Sequence, residues 1–118
     1  MMIDRADRQI ETSEWVERTF GKEHLKNSYT RIKRFMEEAL ELAQACGMNP
    51  DDINKIIAHV YERPPGDPGQ EMGGVQLTLL ALATSLSLNA DHEEEKELKR
   101  VLSLPPEHFQ QRNKAKTY

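Results

Sequence analysis

The sequence predicts an all-α chain, on three observations. Apolar residues recur at a period near 3.6 in successive segments, no stretch shows convincing strand alternation, and Gly, Pro, Asn and Asp fall between the periodic segments. The expected architecture is a helical bundle of about five helices, filling one domain over 1–118 with a core at about 24–104 and a tail at 105–118.

The first helix is read over residues 4–19, with Ile10, Val16 and Phe20 as a narrow apolar stripe that Trp15 joins loosely, and Gly21 as its breaker. The second starts around His24–Ser28 and runs to Cys46. Ile32, Met36, Ala39, Leu40 and Ala43 share one face, and Gly47 stops it. Asn49 suits the N-cap of a third helix ending near Glu62, Pro50 suits its first position, and Ile53, Ile56, Ile57 and Val60 supply its apolar face. RPPGDPGQ, residues 63–70, holds three of the six prolines and must be a loop. A fourth helix follows from Gln70 to Leu88. Val75, Leu79, Leu82 and Leu86 form its stripe, and Leu77, Leu80, Ala81 and Ala83 fill much of the remaining circumference, the pattern of a helix buried on most sides. Asp91 can cap a fifth helix, HEEEKELKRVLSL, which Pro105-Pro106 ends; the tail then forms a short turn and frays.

Composition narrows the function classes. The chain has 118 residues, 37% hydrophobic and 31% charged, so a lone small monomer would have a thin core and burial against a partner subunit is expected. Net charge is −4, and the one basic cluster is RNKAK near the end, which argues against duplex nucleic acid as a partner. The single cysteine, Cys46, excludes an intrachain disulfide framework and is expected to pack as a small apolar residue near a helix end. No apolar run is long enough to span a membrane and the N-terminus lacks a signal core, so a cytoplasmic protein is expected.

The chemistry is concentrated in RFMEEALELAQACG. At 100° per residue Glu37 and Glu41 lie about 40° apart and Glu38 and Glu41 about 60°, so three like charges share one arc and repel. A hard divalent cation would turn that repulsion into attraction. The same pattern also occurs on solvated helix faces, and this arc lies largely opposite the Ile32–Met36–Ala43 stripe. Glu71 opens the apolar fourth helix, where the helix dipole alone would favour a carboxylate. Gly73-Gly74 beside it costs about 1 kcal/mol per glycine relative to alanine, which close approach of another helix or of a ligand would offset. Arg31, Lys33 and Arg34, one to two turns before the cluster, could reach phosphates, as could Arg112 and Lys114 in the tail; Trp15 or Tyr29 could stack on a base. His24, His59, His92 and His108 show no metal-ligand spacing.

The pairing of Glu37-Glu38-x-x-Glu41 with Glu71-Met-Gly-Gly74-Val, within YERPPGDPGQEMGGVQLTLLALA, resembles the MazG-like all-α nucleoside triphosphate pyrophosphohydrolases, over roughly residues 28–104. The resemblance implies a four-helix core completed by a second copy, as a homodimer or homotetramer, and cleavage of a nucleoside triphosphate between its α- and β-phosphates with Mg2+ (or Mn2+). It implies Glu38, Glu41 and Glu71 as metal ligands and Glu37 as a ligand or the group that orients water. That family's second motif is ExxD, and Gly74 stands here at the aspartate. Water could take the vacant coordination position, Asp91 could substitute, or the chain could be a catalytically silent module that binds nucleotide or a partner.

Overall fold

The computed structural model describes residues 4–118, and every element in them is helical. In chain order the helices are α1 (Arg5–Phe20), α2 (Lys22–Lys26), α3 (Ser28–Ala45), α4 (Pro50–Tyr61), α5 (Pro68–Ser85), α6 (Ala90–Ser103) and α7 (Pro106–Lys114). The all-α expectation holds, with two helices more than the pattern suggested. Gly21, at φ 100°, ends α1 but a single turn, α2, follows at once. Asn27 then separates α2 from α3 and caps the latter, its side-chain oxygen accepting from the Thr30 amide at 3.1 Å. The tail is a helix instead of a fraying turn: Pro106 sits at its first position, where the missing N–H costs nothing.

Local signals explain most boundaries. Asn49 accepts from the Asp52 amide at 2.9 Å and Pro50 opens α4. Asp67 accepts from the Gln70 amide at 2.9 Å, so α5 begins at Pro68, inside the segment read as loop. Asn89 accepts from the His92 amide at 3.0 Å, so Asn89 and not Asp91 caps α6. Two helices end in the same reversal. At α3, Met48 N–H reaches Ala43 O at 3.0 Å and Gly47 N–H reaches Gln44 O at 2.9 Å, with Gly47 at φ 89°. At α5, Leu88 N–H reaches Ala83 O at 2.8 Å and Ser87 N–H reaches Thr84 O at 3.1 Å, with Ser87 at φ 58°.

The chain divides into two units. One comprises the residues up to Arg34 with Asn89–Tyr118, and it closes on α1, against which α2, α6 and α7 all pack. Val16, Thr19 and Leu98 are its buried centre. Trp15 meets Phe109 edge to face at 5.0 Å and Phe20 at 6.1 Å, each geometry favoured by the ring quadrupole. Gln110 donates to Thr19 O at 2.8 Å, satisfying a carbonyl at the end of α1. Arg8 is only 2% exposed, and it donates to Glu94 at 2.8 Å and to Asp91. Arg5 adds a second donor to Glu94. The bond to Glu94, with Asp91 beside it, raises the Arg8 guanidinium above its ordinary range against the opposing effect of burial. A raised value means that the stabilisation from charged Arg8 is complete at every pH below the ordinary guanidinium range, so the guanidinium's own titration removes nothing there.

The other unit, Phe35–Leu88, is built differently. Among the described residues, neither α4 nor α5 packs against another helix of the chain, and Ala83 is the unit's one buried side chain. Cys46, expected to pack, is exposed.

Gly47→Ala is expected to destabilise the fold by about 1 kcal/mol, because alanine resists the left-handed conformation. Ser87→Gly is expected to shift stability the other way by a smaller amount. Thermal melts of the two variants beside the natural chain check both signs.

Candidate functional site

Helix α3 carries the acidic arc in its second half, within the Phe35–Leu88 unit. Glu37 is half-buried there, and Glu38 and Glu41 are exposed. Glu71 stands in the first turn of α5, a place set by the Asp67 cap and by Pro68. Its side chain folds back over the preceding loop: a Cβ added at Gly66 would lie 2.8 Å from Glu71 Oε1. Glu41 and Glu71 make no ion pair among the described residues. The Phe35–Leu88 unit holds eight acidic and two basic side chains, a net −6 against −4 for the whole chain. The modest total charge therefore hides a strongly acidic half.

One chain does not bring the two motifs together. Helices α3 and α5 do not pack on each other, and no group of three or more His, Cys, Asp or Glu side chains among the described residues could hold a metal ion. The donor set is right in kind for magnesium, being all carboxylate oxygen on exposed helical positions. Gly73 and Gly74 face open space, with nothing within 4 Å of an added Cβ at either. The room that the glycine pair creates is thus not taken up by the chain itself.

Asp91, the suggested substitute for the missing aspartate, is held by Arg8 in the other unit. That network escaped sequence reading. The carboxylates that meet Arg8 are more than eighty positions away, so no local pattern marks them. The basic candidates fall in the same unit as Arg8. Arg31 lies 6.0 Å over the Phe20 ring, and its Nε is buried without a hydrogen-bond acceptor. Burial and, secondarily, the charge of Arg34 lower its pKa from the usual guanidinium range, an environment that an anion would relieve. Arg34 lies 5.1 Å over the Tyr118 ring. Arg112 and Lys114 are exposed near the end of α7. Trp15 is taken by the aromatic cluster, whereas Tyr29 is exposed beside Lys33 at 5.0 Å. His24 stacks on Phe20 and His108 meets Phe109 edge to face, which gives these two histidines packing roles.

Gly66→Ala is expected to change stability by less than about 0.5 kcal/mol, since the added methyl displaces only the flexible end of Glu71. A fall in melting temperature of many degrees would show that Glu71 is fixed against the loop.

Among the described residues no single helix is long and apolar enough to cross a membrane. Comparison with protein-family models, curated proteins and solved structures finds no match.

Proposed function

We propose that the chain is a Mg2+-dependent nucleoside triphosphate pyrophosphohydrolase. The observation that carries this reading is the pairing of Glu37, Glu38 and Glu41 on one face of α3 with Glu71 at the head of the apolar helix α5, in a unit whose net charge is −6. Carboxylates that share one helical arc repel each other, and a hard divalent ion offsets that cost.

Glu38, Glu41 and Glu71 would hold Mg2+, with Mn2+ the alternative. Bound there, the ion supplies neutralisation of phosphate charge and a lowered pKa for water. Glu37, the least exposed of the three on α3, would accept a hydrogen bond from the attacking water and so fix its direction. Arg31 and Arg34, one to two turns earlier on the same helix, would donate to phosphate oxygens, a role that suits the unsatisfied Nε of Arg31. Water oxygen bonds to the α-phosphorus, the bridging bond breaks, and one water proton is released to solvent. The hydroxyl stays on the nucleoside monophosphate, and the bridging oxygen leaves with pyrophosphate.

Gly74 favours a second reading, a chain that binds nucleotide without turnover. With no side chain at that position, the donor set of the EMGG turn ends at Glu71.

The expected result is pyrophosphate release from a panel of dNTPs with Mg2+, reduced at least about 100-fold in Glu38→Gln and in Glu41→Gln. Equal rates in those variants would falsify the metal assignment. Melting temperatures raised by Mg2+ and nucleotide, with no product, would select the second reading. Gly74→Asp is expected to tighten Mg2+ binding by restoring a donor, and calorimetric titration measures it.

A further inference from the structure

We infer that Lys116 and Tyr118, in the segment that follows α7, complete a phosphate-binding site with Arg31 and Arg34. The inference rests on the proposed function for the class of its ligand, the triphosphate of a nucleotide, and does not need turnover.

Placement begins with α7. Phe109 against Trp15 and Gln110 on Thr19 O hold that helix to α1. Beyond its end, Lys116 N–H reaches Asn113 O at 3.2 Å and turns the chain out of the helix. The Tyr118 ring then meets α3, with the Arg34 guanidinium 5.1 Å over it. Lys116 Nζ lies 5.7 Å over the same ring and donates to Tyr118 Oη at 3.4 Å. One ring thus gathers two cations from segments more than eighty positions apart, through the attraction of its negative face.

Arg31 is the third cation. It stands three residues before Arg34 on α3, the spacing that makes like charges neighbours on a helix. Its Nε is buried without an acceptor, and the charge of Arg34, second to burial, disfavours its charged form. A phosphate oxygen answers both: it accepts from guanidinium N–H groups and it brings negative charge. A triphosphate presents such oxygens in a row, so it can touch planar arginine forks and the point charge of a lysine together. The field of this unit agrees. It carries 14 basic and 12 acidic side chains, a net +2 against −6 for Phe35–Leu88. The sequence suggested Arg112 and Lys114 as the tail's cations, and the fold brings Lys116 to the ring that Arg34 covers.

The test is calorimetric titration of the full chain with inorganic tripolyphosphate, at physiological salt and without Mg2+. Binding is expected, weakened at least about fivefold in Lys116→Ala and in Tyr118→Ala. Lys116→Gln keeps most of the aliphatic stem and should weaken binding as Lys116→Ala does, so that loss of charge is read apart from loss of packing. Lys116→Arg and Tyr118→Phe, which keep the charge and the ring, are expected to stay within about twofold of the natural chain. Lys99→Ala removes the same charge from α6 and should bind as the natural chain does. Absence of binding at millimolar tripolyphosphate overturns the inference. So does Lys116→Gln at unchanged affinity, or Lys99→Ala weakened to the same degree. Tripolyphosphate binding with no pyrophosphate released from any dNTP would end the catalytic reading and leave this site standing. Turnover indifferent to Lys116→Gln would do the reverse.

Discussion

Helix α5 sets the terms for the rest of the molecule. Its leucines and alanines leave little polar circumference, yet among the described residues no other helix packs against it. Burying one leucine or valine side chain is worth about 1.5–3 kcal/mol. Val75, Leu77, Leu79, Leu80 and Leu86 are all substantially exposed. Even at half that value each, five such residues reach the order of a small domain's entire net stability, about 5–15 kcal/mol. A helix of this composition persists in water only when something covers it. Helices α3 and α4, which also present bare apolar residues, share that requirement.

The other unit shows how a short stretch of this chain can close on itself. Helix α1 is a hub: α6 reaches it through the Arg8 network and α7 through Trp15, Phe109 and Gln110. The core is thin, and polar satisfaction substitutes for apolar bulk. A guanidinium that is almost fully buried is costly unless carboxylates surround it, and here Glu94 and Asp91 do. The same unit holds the first turns of α3, through Arg31 over Phe20 and Arg34 over Tyr118.

The helices were legible in the sequence because their signals are local. Asn49-Pro50 names its own cap and first turn, and Gly47 names its own left-handed stop. The end of α5 was harder to place, since Ser87 takes the position that glycine normally marks. The extra helices were missed for a related reason. A five-residue helix has no periodicity to detect, and Pro105-Pro106 reads equally as a stop and as a start. Long-range pairings were invisible: nothing near Arg8 announces Glu94, and nothing near Thr19 announces Gln110. The acidic arc was legible as an arrangement on one helix, because a helix fixes its own angular spacing. Its relation to Glu71 was not, since that depends on how α3 and α5 are brought face to face.

Two features of the Phe35–Leu88 unit are unfavourable where they stand. The acidic arc repels itself, and the glycine pair weakens the helix that most needs strength. A locally consistent sequence would carry neither, and such departures concentrate where a protein meets something else. Among the described residues the carboxylates gather no metal-sized cluster, and the glycines face open space. Both lie on the helices whose apolar faces are bare. A neighbour covering those faces would have room to come close at Gly73-Gly74.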